Sequence, residues 1–247
     1  MADALLDVLS EAAAAIEDAL GRLDDWGLAG TRAGQYRSDL AADEAALAVL
    51  ERAGVGVLSE ESGLTNPDRD LVVVLDPVDG STNASRGIPW FATSLCAVDH
   101  AGPVAALVVN LASGVRFDAI RDGGARRDGR LIQPTSCSSL ASAMVGLSGY
   151  PARSLGWRQF RALGACALDL CAVASGALDA YIDCSHDAHG AWDYLGGVLV
   201  CREAGAIVAD AADRDLVVVD HGSRRTPIAA ASEALFAEVA AARASIS

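Results

Sequence analysis

The sequence predicts an α/β protein, with an α+β half in front and an α/β half behind. Three observations predict it. Residues 3–20 space their apolar side chains as one helix face, and residues 55–120 break into short β-like runs. Beyond Pro134, strand-like and helix-like segments alternate. A chain of 247 residues, 52% hydrophobic and 21% charged, can bury roughly 70% of its unfolded surface, which excludes a disordered protein.

The elements follow in order. Leu5, Leu6, Leu9, Ala13, Ile16 and Leu20 recur at helical spacing, and Gly21 stops that helix. A second helix is expected from about Asp43 to Ala53, with Gly54 behind it. Strands are expected at Val55–Leu58, Leu71–Leu75, Ala92–Val98, Val104–Leu111 and Val115–Ile120. The last three form an antiparallel meander turned by stretches such as Asp99-His100-Ala101-Gly102. The second half predicts a strand at Ala143–Leu147, helices over 153–163 and 165–175, a strand at Leu178–Ile182 and a helix from Trp192 to Ala204. Strands near Ile207, at Leu216–Val219 and at Ile228–Ala231 precede a terminal helix over 233–244. Pro134 and neighbouring serines mark the boundary, giving domains 1–134 and 135–247.

Composition excludes several functions. The net charge is −14, and no basic run exceeds Arg126-Arg127 or Arg224-Arg225, so nucleic acid is not an expected partner. All 19 cationic residues are arginine. Without lysine there is no Schiff base, no pyridoxal phosphate and no P-loop. The 6 cysteines form no Cys-x-x-Cys pair and lie mostly in apolar segments, which reads as reduced thiols of a cytoplasmic protein. No apolar window is long enough for a membrane span. Asp3 and Asp7 stand where a signal peptide needs basic residues.

The chemistry concentrates in Leu71-Val72-Val73-Val74-Leu75-Asp76-Pro77-Val78-Asp79-Gly80-Ser81-Thr82-Asn83. An apolar strand ends on Asp76, Pro77 interrupts its ladder, and Gly80 permits a close turn. Ser81 and Thr82 then suit the cap of a helix whose free N–H groups point the same way as the two carboxylates. Carboxylates draw cations and N–H groups draw anions, so together they suit a metal-bound phosphate. The plainer reading, in which Asp76 and Asp79 only cap and solubilise, stays open. Glu60, after the strand at Val55–Leu58, can reach the same sheet edge or lie on a surface loop. Asp193 opens a helix, where its anion is favoured with or without a metal, and Gly196-Gly197 lets that helix pack closely.

Glu60-Glu61-Ser62, the Asp76–Asn83 string, and Trp192-Asp193 followed by Glu203-Ala204-Gly205 resemble the inositol monophosphatase family of magnesium-dependent, lithium-sensitive sugar phosphatases. The likeness runs from about Asp43 to the C-terminus. It implies a layered αβαβα sandwich, a homodimer, and hydrolysis of a small polyol or sugar phosphate such as inositol monophosphate. Glu60, Asp76, Asp79, Asp193 and the Val78 carbonyl would be magnesium ligands. Four carboxylates and a phosphate dianion carry about −6, which calls for about two or three Mg²⁺ ions. Gly80, Ser81 and Thr82 would offer N–H groups to the phosphate. Ser81 stands where the family usually has threonine, and Asp43 best matches its partner aspartate, unless Asp43 is only a helix cap.

Some features depart from the family pattern. Asp183, after Ala180-Tyr181, is the candidate for sugar hydroxyls, and Gly164-Ala165-Cys166 matches a leaving-group segment with Cys166 in place of a common alanine. The stretch from Cys184 to Ala191 is longer than usual and carries His186 and His189, either as ligands or simply solvated. Fructose 1,6-bisphosphate, a 3′-phosphoadenosine nucleotide and histidinol phosphate remain alternative substrates, and a catalytically silent scaffold a remote one.

Overall fold

Val72 and Val74 pack on one side of a strand, Val73 and Leu75 on the other, and all four are buried. A strand covered on both faces needs a layer above and a layer below it. This computed structural model, which describes residues 2–31 and 34–246, supplies both.

The chain begins with α1 (Ala2–Gly21) and α2 (Arg37–Arg52). An eight-stranded sheet follows: β1 (Gly56–Ser59), β2 (Gly63–Thr65), β3 (Val72–Asp79), β4 (Ala92–Asp99), β5 (Gly102–Asn110), β6 (Arg116–Ile120), β7 (Gly124–Arg127) and β8 (Arg130–Leu131), in spatial order β2-β1-β3-β4-β5-β6-β7-β8. Among the described residues only β1 and β3 pair in parallel there. The five-residue α3 (Ser81–Ser85) lies between β3 and β4. The second half brings β9 (Met144–Ser148), β10 (Gln159–Arg161), α4 (Cys166–Ala174), β11 (Ala180–Asp183), α5 (Ala191–Ala204), β12 (Ile207–Asp210), β13 (Pro227–Ala230) and α6 (Glu233–Ala244). Its sheet runs β10-β9-β11-β13-β12.

Alternating side chains assign the layers. Leu9 and Ile16 of α1 and Ala46 and Leu50 of α2 pack on Val73, Leu75, Leu95 and Leu107. On the opposite face Val74, Cys96 and Val108 meet Leu170 of α4 and Leu195 and Val198 of α5, which Tyr181 and Ala229 of the second sheet cover from behind. Leu235 and Val239 of α6 close the outer face over Leu147, Ile182 and Ile228. The order is helix, sheet, helix, sheet, helix. Gly196 and Gly197 do permit close packing: a Cβ on Gly196 would stand 2.6 Å from Ser94 Oγ, and one on Gly197 2.7 Å from Leu170 Cβ.

Four expectations need correction. The helix expected over 153–163 is largely irregular and contains the edge strand β10, where Trp157 and Phe160 pack at 5.9 Å. Leu216–Val219 is no strand. Leu216 is buried, but its carbonyl accepts from Tyr194 Oη at 2.9 Å instead of a ladder partner. The α2 helix begins at Arg37, well before Asp43, because Asp39 accepts the Tyr36 N–H at 3.0 Å and caps it there. Finally, β3 does not end on Asp76. It continues to Asp79 through a register shift against β4 at Asp76–Asp79.

Candidate metal and phosphate site

The bulge at the end of β3 brings Asp76 and Asp79 together, and the first turn of α5 adds Asp193. One carboxylate oxygen from each lies within 4.8 Å of the others. Each of the three carboxylates is oriented by a backbone N–H: Val78 to Asp76 Oδ1 at 3.0 Å, Ala167 to Asp79 Oδ2 at 2.7 Å, Gly190 to Asp193 Oδ2 at 2.6 Å. Asp76 Oδ2 is buried without a hydrogen-bond partner. Burial, and then the neighbouring anions, push Asp76 and Asp79 well above the usual carboxylate range. An all-oxygen set of crowded anions, two of them buried, with an orphaned oxygen fits a hard divalent cation.

Glu60 stands outside that group of three. β1 ends at Ser59, the Glu60 N–H donates to the Leu75 carbonyl at 3.1 Å, and the side chain lines the adjoining cavity. Burial and the charges of Asp193 and Glu61 raise its carboxyl to about 8. Val78, the carbonyl candidate, is buried between the two aspartates.

Gly80 adopts φ +85° and caps α3 itself, so neither Ser81 nor Thr82 caps the helix as the sequence suggested. A Cβ at Gly80 would come 3.0 Å from the Gly164 carbonyl, so only glycine fits there. The first bond of α3 is Ala84 N–H to the Gly80 carbonyl, leaving the N–H groups of Ser81, Thr82 and Asn83 without an acceptor inside the helix.

Beside this turn lies a cavity of about 330 Å³ lined by Asp39, Glu60, Glu61, Ser81, Trp192 and Arg224, among others. Asp39, rather than Asp43, lines this cavity. It shares the cavity lining with Ser81, and burial raises its carboxyl to about 6. Asp43, one helical turn further on, instead accepts from Ser59 Oγ and, at 3.5 Å, from Ser62 Oγ. The early start of α2 is the reason, because it places Asp39 at the end facing α3.

On the other side, Gly164 presents surface while Ala165 and Cys166 are buried. Asp183 is 0% exposed and its Oδ2 lacks a hydrogen-bond partner. His189 Nε2 stands 3.6 Å from that oxygen, and His189 Nδ1 lies 3.6 Å from Asp193 Oδ2. Burial alone would lower the His189 pKa, but the Asp193 carboxylate beside it and the charges of Asp183 and Asp79 raise it to about 9. His186 is exposed beside Asp187.

The sequence matches the inositol monophosphatase family over residues 35–247. The chain belongs to the inositol monophosphatase family. A fructose-1,6-bisphosphatase from Pyrococcus furiosus is 30% identical to it over 196 residues, covering 78% of this chain and 76% of that protein. A fructose-1,6-bisphosphatase/inositol-1-monophosphatase from Thermococcus kodakarensis is 36% identical over 197 residues, covering 78% and 75%. A solved Pyrococcus horikoshii structure, described by its similarity to inositol-1 monophosphatase, aligns with TM-score 0.83 at 26% identity over 97% of this chain and 96% of that one. Within this family site, sequence reasoning missed Asp39, Arg224 and His221. Arg224 sits 4.9 Å over the Trp192 ring, and His221 packs on the same ring at 4.8 Å. Asp39 had a signal: a Ser-Asp pair four residues before Asp43, on the same helix face.

Proposed function

We propose that the chain is a magnesium-dependent phosphomonoesterase of small polyol or sugar phosphates, inositol monophosphate first among them. The convergence of Asp76, Asp79 and Asp193 beside the free N–H groups of α3 carries this reading. When bound, about two or three Mg²⁺ ions would offset the site's negative charge and lower the pKa of a coordinated water. Asp76, Asp79 and Asp193 would hold them, with Glu60 and the Val78 carbonyl completing the set. The N–H groups of Gly80, Ser81 and Thr82 would receive the phosphate oxygens. Ser81 and Asp39 line one cavity, where Ser81 Oγ would donate to Asp39 and leave its lone pairs to accept from the attacking water. Asp39 is then the carboxylate that takes up the proton through Ser81. No covalent phosphoenzyme is needed. Gly164 borders the space for the leaving group.

Relatives named fructose-1,6-bisphosphatase make that sugar bisphosphate the second substrate to try. The six cysteines are unpaired and four of them are buried, which supports a reducing, cytoplasmic setting, with the homodimer as the family resemblance implies. Phosphate release is measured over inositol phosphates, fructose 1,6-bisphosphate, histidinol phosphate and phosphoadenosine nucleotides, with Mg²⁺ or with excess EDTA. Metal-dependent release from a polyol or sugar phosphate is expected. Undiminished release in EDTA overturns the reading.

A further inference from the structure

Asp183 is the acid expected to bind leaving-group hydroxyls, yet it is sealed. Over its unpartnered Oδ2 lies the His189 ring, with Nε2 3.6 Å away. The same nitrogen is 3.2 Å from Ser148 Oγ and 3.4 Å from Tyr181 Oη, while Nδ1 faces Asp193 Oδ2. Both ring nitrogens are turned to protein atoms, so the ring offers a leaving group only carbon.

The ring is also tethered at its backbone. The His189 N–H donates to the Arg225 carbonyl at 3.3 Å, and the Arg225 N–H donates back at 2.8 Å. Two residues earlier, Asp187 accepts from Arg214 Nη2 at 2.7 Å, and its N–H reaches Thr226 Oγ1 at 3.2 Å. Arg214 is itself fixed to the buried Asp210 at 2.6 and 3.0 Å. The long loop before α5 is thus latched to the β12–β13 connection, with His189 held in place over Asp183.

We propose that His189 caps Asp183 and withdraws it from leaving-group recognition, so this enzyme grips the phosphate and discriminates weakly among leaving groups. The proposal rests on the phosphatase reading and refines its substrate class to small phosphomonoesters with few demands on the alcohol. A hydroxyl meeting an open carboxylate gains about 10- to 100-fold in affinity. Here that hydroxyl must first displace an imidazole that already has four polar neighbours.

The test compares binding of a hydrolysis-resistant inositol phosphonate with methylphosphonate by calorimetry at saturating Mg²⁺. Wild type should bind the two within about threefold of each other. His189→Ala should tighten the inositol phosphonate about 10- to 100-fold relative to methylphosphonate. Asp183→Asn should leave the wild-type ratio unchanged and abolish the gain in the double variant. Asp187→Ala keeps the imidazole and releases only the latch, so it should shift the ratio the same way by less, and it decides the matter if His189→Ala does not fold. A tenfold loss for Asp183→Asn in the wild-type background overturns the proposal. So does an unchanged ratio in a folded His189→Ala, or in Asp187→Ala where His189→Ala does not fold. Because binding is read, absent turnover would count against the phosphatase reading alone.

Discussion

The backbone N–H of Ala167 donates to Asp79 Oδ2 at 2.7 Å, so a carboxylate on the first sheet is oriented by the first turn of α4, between the sheets. Asp76 has no such support on its second oxygen, which is buried and unpartnered. The two aspartates of one motif are therefore unequal before any cation arrives. Each is oriented by one backbone N–H, and the buried Oδ2 of Asp76 is where the fold is short of a positive partner.

Asp76→Asn should for that reason be more stable than wild type in EDTA. The amide removes one charge from a crowded buried set and places an N–H donor where the orphaned oxygen stands. A gain of about 1–2 kcal/mol corresponds to roughly 2–8 °C in Tm for a chain of this size. Phosphatase activity should be lost in the same variant. An unchanged or lower metal-free Tm would mean that the carboxylates do not repel one another.

Asp39 and Asp43 should separate into chemistry and stability. Asp39→Asn and Ser81→Ala should each lower kcat by about 10²–10⁴ with little change in KM, and the double variant should be no worse than the poorer single, since the two act as one unit. Ser81→Thr keeps the hydroxyl and should be nearly neutral. Asp43→Asn should spare kcat and cost about 1–3 kcal/mol, because it weakens the acceptor of buried Ser59. Native kcat in Asp39→Asn would remove it from the proton path.

The difference between those two aspartates shows where the sequence stopped being legible. Strands β3 to β6 could be read because their apolar runs are bounded by turn residues, and α1 and α6 because their buried positions recur at helical spacing. Asp39 was hidden by a helix start with no Ser, Thr, Asp or Asn at the cap. Tyr36 occupies that position, and Asp39 itself reaches back to its N–H. The helix expected over 153–163 failed for the opposite reason, since a few apolar residues around Pro151 and Gly156 imitate a period that edge pairing with β9 overrides. His189 was visible as a residue but not as a cap, because which loop histidine turns inward depends on Arg214, Asp187 and Arg225 meeting in space.

That latch has a pH signature. Burial of Asp210 would raise its pKa, but the Arg214 bond and the Thr226 N–H outweigh it and hold the carboxyl below its ordinary 3.8. The unfolded chain therefore binds this proton more readily than the native one, so the stabilisation is present above pH ~4 and lost as pH falls through the folded pKa. Arg214→Ala should lower Tm at pH 6, and the gap from wild type should narrow towards pH 3. A gap that stays constant would show that Arg214 contributes packing alone.

Asn83 offers the sharpest test of how the two halves of the site are joined. Its Nδ2 donates to the Trp90 carbonyl at 2.8 Å and to the Leu163 carbonyl at 2.7 Å, spanning the turn after α3 and the segment leading into Gly164. Gly80 packs against both partners' neighbourhoods, with the positions of its missing Cβ 3.2 Å from the Trp90 carbonyl and 3.0 Å from that of Gly164. Asn83→Ala strands two carbonyls that are only partly shielded, which should cost about 1 kcal/mol, or roughly 2–4 °C in Tm. Asn83→Asp keeps the shape but turns the donor into an acceptor facing two carbonyl oxygens, so it should be less stable than the alanine variant. Both should lose kcat/KM on every phosphomonoester, because the phosphate-binding turn and the leaving-group border no longer hold register. If Asn83→Asp matches or exceeds Asn83→Ala in Tm, donation to those carbonyls is not what joins the halves, and side-chain packing must be holding them instead.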